Sequence, residues 1–165
     1  MNKINIYLTK KLIDYYKLTI PIDLNKIISD FSDIEIEYDS DISKDNLIKF
    51  NKENGYLIQI KNKEFDIDNP KGYKNRFTIA NSLGHLFLEH IDKKQNIFIT
   101  GTNKQETQTN DFAANLLMPK AEFIECVYNN LDEEGLCNLD AVSDYFRVSI
   151  SAVKTRGKFL GVFPW

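Results

Sequence analysis

The chain has 165 residues, 42% of them hydrophobic and 27% charged, which excludes a disordered or collagen-like polymer and points to a single globular domain. Its formal charge is −3. A protein that coats nucleic acid without regard to sequence is usually basic, so that class loses ground.

Cys126 and Cys137 form no CxxC or zinc-finger spacing, and two cysteines do not make a disulfide scaffold. Reduced thiols in a cytoplasmic protein are expected. The N-terminus carries no long apolar run of the secretory kind. No uninterrupted apolar stretch approaches the ~18 residues of a membrane span, so no membrane partner is expected.

Residues 9–18 place Leu12, Ile13, Tyr16 and Leu18 at amphipathic helical spacing. Pro21 interrupts, and residues 23–28 begin a second helix. Ile34-Glu35-Ile36-Glu37-Tyr38 alternates apolar and charged residues, the pattern of a half-buried strand. Leu57-Ile58-Gln59-Ile60 is a second strand and Phe65-Asp66-Ile67 a third, closed by the turn-rich Asp68-Asn69-Pro70-Lys71-Gly72. The longest helix is expected over residues 74–90, where Phe77, Ile79, Ala80, Leu83, Leu86, Phe87 and Leu88 predict burial on most sides. Residues 101–110 are polar and read as a loop entering a helix at 111–117. Helices over 121–131, 139–146 and 149–159 follow. Helices, then strands, then helices predict an α+β fold. The expected organisation is one domain over residues 1–165. N-terminal helices and a small sheet occupy 1–72, motif helices 73–131, and a closing helix pair 138–165.

The most informative segment is Arg76-Phe77-Thr78-Ile79-Ala80-Asn81-Ser82-Leu83-Gly84-His85. A second follows at Gln108-Thr109-Asn110-Asp111-Phe112-Ala113-Ala114-Asn115-Leu116-Leu117-Met118-Pro119. The first resembles the RFTIA-HELGH helix of the ImmA/IrrE family of zinc metallopeptidases, the second that family's EAN-x-FAA-x-LLMP. Phe146-x-Val148-Ser149 and Ala152-x-x-x-Arg156-x-x-x-Leu160-Gly161 resemble its closing helix pair. The resemblance implies a zincin-like α+β domain, with a small sheet packed on the motif helix.

Zinc hydrolysis of this kind uses two histidines at i and i+4 on one helix face, and a glutamate between them as general base. In the family the third ligand is the glutamate of EAN. Position by position, the first histidine falls on Asn81, the base on Ser82, the second histidine on His85 and the third ligand on Gln108. Only His85 keeps the family residue. Amide oxygens are poor zinc donors, and a serine hydroxyl is not a useful base near neutral pH. A catalytically degenerate domain, a pseudo-peptidase without a cofactor, is therefore expected. The alternative is an active hydrolase with a rearranged zinc or manganese site. It would use His85, Glu89 and Glu106, with Asp111 nearby. His90, five residues past His85, falls about 140° around a continuing helix and would not share an ion with it.

Ser143, Val148 and Val153 fall where helix-turn-helix motifs pack their helices. Arg147, Lys154, Arg156 and Lys158 lie in a stretch without acidic residues, so Lys154, Arg156 and Lys158 are candidate phosphate contacts for a DNA-binding regulator. The competing expectation is that the pair supports the core, and that the apolar Phe159-Leu160-Gly161-Val162-Phe163-Pro164-Trp165 packs on the domain. Active members of the family act on helix-turn-helix repressors, often in phages and mobile elements. The expected partner is thus an Xre-type repressor or a host defence protein.

Overall fold

A computed structural model describes residues 2–51, 54–61, 72–91 and 102–164. The expected strand at Phe65–Ile67 lies outside them. Helices α1 (Lys3–Tyr16) and α2 (Leu24–Ile28) lead into strands β1 (Ile34–Tyr38), β2 (Asn46–Asn51) and β3 (Gly55–Ile60). Then come α3 (Tyr73–Phe87), α4 (Asn103–Leu117), α5 (Lys120–Asn129), α6 (Leu139–Phe146) and α7 (Ile150–Leu160).

The sheet order is β1-β3-β2, with β1 parallel and β2 antiparallel to the central strand. Ile36, Ile58 and Ile48 stand abreast across the three strands. β2 is absent from the sequence reading because Asn46, Lys49 and Asn51 break its apolar run. Pairing with β3 makes it a strand.

The core runs from Ile58 and Ile60 through Ile79, Ala80 and Leu83 of α3 to Phe112, Ala113, Leu116 and Leu117 of α4, and on to Phe123, Phe146 and Val153. α3 and α4 share the most extensive helix contact. Gly84 permits it: a Cβ there would stand 3.1 Å from the Phe112 ring and 3.3 Å from the Thr109 Cα. Arg76, buried in α3, donates to the carbonyls of Ile22 (2.6 Å) and Arg147 (3.1 Å), which ties the motif helix to both ends of the chain.

Two boundaries differ from the sequence expectation in ways that matter for the site. The polar stretch read as a loop is the first half of α4. Thr102 and Gln105 form a reciprocal capping box at its start, which satisfies backbone donors that a loop would leave to water. Polar residues on the outer side of an amphipathic helix carry no apolar signal, so composition reads them as a loop. The second difference is that α3 stops at Phe87. Glu89 takes φ +54°, and the His90 and Glu89 amides donate to the His85 and Leu86 carbonyls. This is the Schellman arrangement that ends a helix.

Candidate functional site

Asn81, Ser82 and His85 project from buried positions on α3. Glu106, Gln108, Thr109 and Asn110 face them from α4. The Asn81 amide donates to Thr109 Oγ1 at 2.9 Å and to Asn110 Oδ1 at 3.0 Å. Ser82, fully buried, donates to the Thr78 carbonyl (3.0 Å) and accepts from Asn46 Nδ2 (2.7 Å), at the start of β2. Its hydroxyl is thus engaged by the sheet and by its own helix. Asn46 was not singled out by sequence, since nothing local marks a strand-end amide that meets a helix 36 residues on.

His85 is 2% exposed, with Nε2 lying 3.3 Å from Glu106 Oε1 and 3.4 Å from Thr109 Oγ1. Its Nδ1 lies 3.4 Å from His90 Nδ1. The sequence places His90 about 140° around a continuing helix; the structure instead brings it beside His85. The helix has ended, and the left-handed Glu89 folds the chain back, bringing the two imidazoles edge to face with centroids 5.3 Å apart. Burial pushes the His85 pKa below its ordinary value, against the opposing pull of the Glu106 carboxylate. Burial also lowers that of His90.

The rearranged metal set is not brought together. Glu106 reaches His85, but Glu89 is exposed beyond the helix end. Glu106 sits at Nε2 of His85 and His90 at Nδ1, on different edges of the ring, so the three do not converge on one point. Among the described residues no group of three or more His, Cys, Asp and Glu side chains is placed to hold a metal. The donors at the aligned positions are two amides and one imidazole. That set does not fit a catalytic zinc, which takes imidazole, thiolate or carboxylate ligands.

A cleft of about 740 Å³ opens between α3, α4 and α7, beside the start of β2. Asn81 of α3, Gln108 and Asn110 of α4, and Ser151, Thr155 and Phe159 of α7 are among the residues that line it. Its charged groups are engaged within the chain. Lys74 pairs with Asp45 at 3.1 Å. Asp111 accepts from the Asn2 backbone at 3.1 Å and from Asn5 Nδ2 at 3.0 Å.

Arg156 corrects the DNA-contact expectation. It is 2% exposed and donates to the Met118 carbonyl (3.1 Å) and to Asn115 Oδ1 (3.0 Å). Burial brings its pKa down to about 10, opposed by Asp111. Such a guanidinium braces α7 on α4 and does not reach a phosphate. Lys154 is exposed and Lys158 half-buried. The helix pair has helix-turn-helix form, with Arg147 in the left-handed turn (φ +51°) and Ser143 Oγ donating to the Val148 carbonyl. The tail folds back: the Val162 and Phe163 amides bond the Gly157 carbonyl, and the Phe163 ring occupies the space a Cβ on Gly157 would need. Trp165 lies outside the described residues.

A small sheet, a buried motif helix and a second helix crossing it at a shared polar centre define a zincin-like α+β domain. The peptidase-family model described as the IrrE N-terminal-like domain matches residues 70–158, more than half of the chain, and the chain belongs to this ImmA/IrrE family. A search of curated proteins gave no match. No helix among the described residues is long and apolar enough to cross a membrane.

Proposed function

We propose that the chain is a pseudo-peptidase, a catalytically degenerate member of its family that binds a protein partner in the cleft without cutting it. The supporting observation is an open cleft whose wall is built from the family's ligand positions, where Asn81 and Gln108 now stand. Hydrolysis of this class needs a metal to polarise the carbonyl and a base to activate water. Two neutral amides hold a cation poorly, and the Ser82 hydroxyl is spent on Asn46 and Thr78. The partner class follows from the family resemblance: an Xre-type repressor or a host defence component, in a phage or mobile-element setting. Cleft charges that are already engaged within the chain suit recognition by shape and hydrogen bonding.

The test incubates the native chain with a purified Xre-type repressor, with zinc present and a chelator added to a parallel sample. The native chain is expected to bind and leave the repressor whole. Thr155→Arg, which narrows the cleft from its exposed rim, should weaken binding at least about tenfold, the scale of one interface contact. Chelator-sensitive cleavage of the repressor by the native chain would end the proposal.

A further inference from the structure

The polar centre between α3 and α4 has its polarity reversed relative to a metal site. A metal ion requires the surrounding side chains to aim lone pairs at it. Here the side chains at both helix ligand positions turn a nitrogen to one oxygen, Oγ1 of Thr109. Asn81 Nδ2 donates to it at 2.9 Å. His85 Nε2 lies 3.4 Å from it while also facing the Glu106 carboxylate. A neutral His85 with its proton on Nε2 serves both oxygens and leaves Nδ1 to accept from His90 Nδ1. The hydroxyl hydrogen is used as well, since Thr109 Oγ1 donates to the Glu106 carbonyl at 3.1 Å. Two lone pairs and one hydrogen are the whole capacity of a hydroxyl, and with His85 in that tautomer all three are engaged at a fully buried residue.

We propose that Thr109 is the residue that excludes metal from this domain, its hydroxyl standing between the two former helix ligands and bracing α3 to α4 in place of an ion. The inference rests on the pseudo-peptidase reading and extends it. Loss of the ligands alone leaves a weak site, whereas Thr109 fills the position between them. Three features fit this role. The position reads alanine in the family pattern that the second motif resembles. Gly84 lets the Thr109 backbone approach α3 closely enough for the hydroxyl to reach across. The helix start at Thr102 places Glu106 and Thr109 one turn apart, on the side that faces His85.

The consequence is specific: returning ligands to Asn81 and Gln108 does not restore zinc binding while Thr109 keeps its hydroxyl. The experiment is zinc titration against a chromophoric chelator for the native chain, N81H/Q108E, N81H/T109A/Q108E and N81H/T109S/Q108E. The Thr109→Ala combination is expected to bind zinc at least about tenfold tighter than the double variant, within the range that groups around a metal commonly control. The Thr109→Ser combination, which keeps the hydroxyl, should stay with the double variant. Zinc-dependent melting gives a second readout, with a rise in Tm confined to the Thr109→Ala combination even if that chain is marginal without metal. Equal zinc affinity for all three ligand-restored variants would overturn this inference and leave the pseudo-peptidase reading standing. Stoichiometric zinc in the native chain, lost in His85→Ala, would overturn both.

Discussion

Replacing Arg156 by alanine separates two roles for α7. In the structure the guanidinium is buried between α7 and α4, with hydrogen bonds to the Met118 carbonyl and Asn115 Oδ1 and the Asp111 carboxylate nearby. Removing it strands two buried acceptors, each costing about 1–3 kcal/mol. Asp111 loses its neighbouring cation but keeps the Asn2 and Asn5 donors, which limits the electrostatic part. The total falls at about 3–5 kcal/mol, as for breaking a buried charged contact on one side. For a domain of this size that lowers the melting midpoint by about 10 °C. Urea denaturation followed by circular dichroism measures it directly, and the slope should be unchanged. Arg156→Lys keeps the charge without the fork of donors and should fall between. A surface phosphate contact would cost less than about 0.5 kcal/mol. A measured loss under about 1 kcal/mol for Arg156→Ala would refute the burial argument and return the residue to the DNA-binding surface.

Acid should destabilise the fold through the histidine pair. The pKa values of His85 and His90 are lowered on folding, so the unfolded chain takes up protons first. Stability is full above the ordinary value near 6.5 and falls as pH drops from there toward the lowered folded values. Urea midpoints from pH 7.5 to 5 should decline, with a smaller decline in His85→Gln; a flat native profile would contradict this. Gly84→Ala sets a helix-propensity gain of about 1 kcal/mol against overpacking of about 1–3 kcal/mol. Because the added methyl meets the backbone of Thr109 and the buried Phe112 ring, a net loss is expected, together with a weakened Asn81–Thr109 bond. A chain that gains stability would show that α4 gives way freely.

Much of the fold was legible in the residues because it rests on local periodicity. The alternation at Ile34–Tyr38, the apolar density of α3 and the α6–turn–α7 spacing each predict an element that the structure contains. The family was legible for the same reason, since the motif from Arg76 to His85 lies along one helix. What local pattern does not carry is partnership between distant segments. That Arg156 is a buried brace and not a surface cation was decided by α4 packing on α7, because an arginine looks the same in sequence whether or not carbonyls wait for it. The return of His90 onto His85 was decided by a left-handed Glu89, which periodicity cannot report. The first half of α4 was hidden by its polarity, and with it the face that carries Glu106 and Thr109. Sequence alone determined which residue types stand along the motif helix, Asn81, Ser82 and His85 among them. Tertiary structure decided what they touch, because the Thr109 hydroxyl meets the Asn81 amide only when two helices pack against each other.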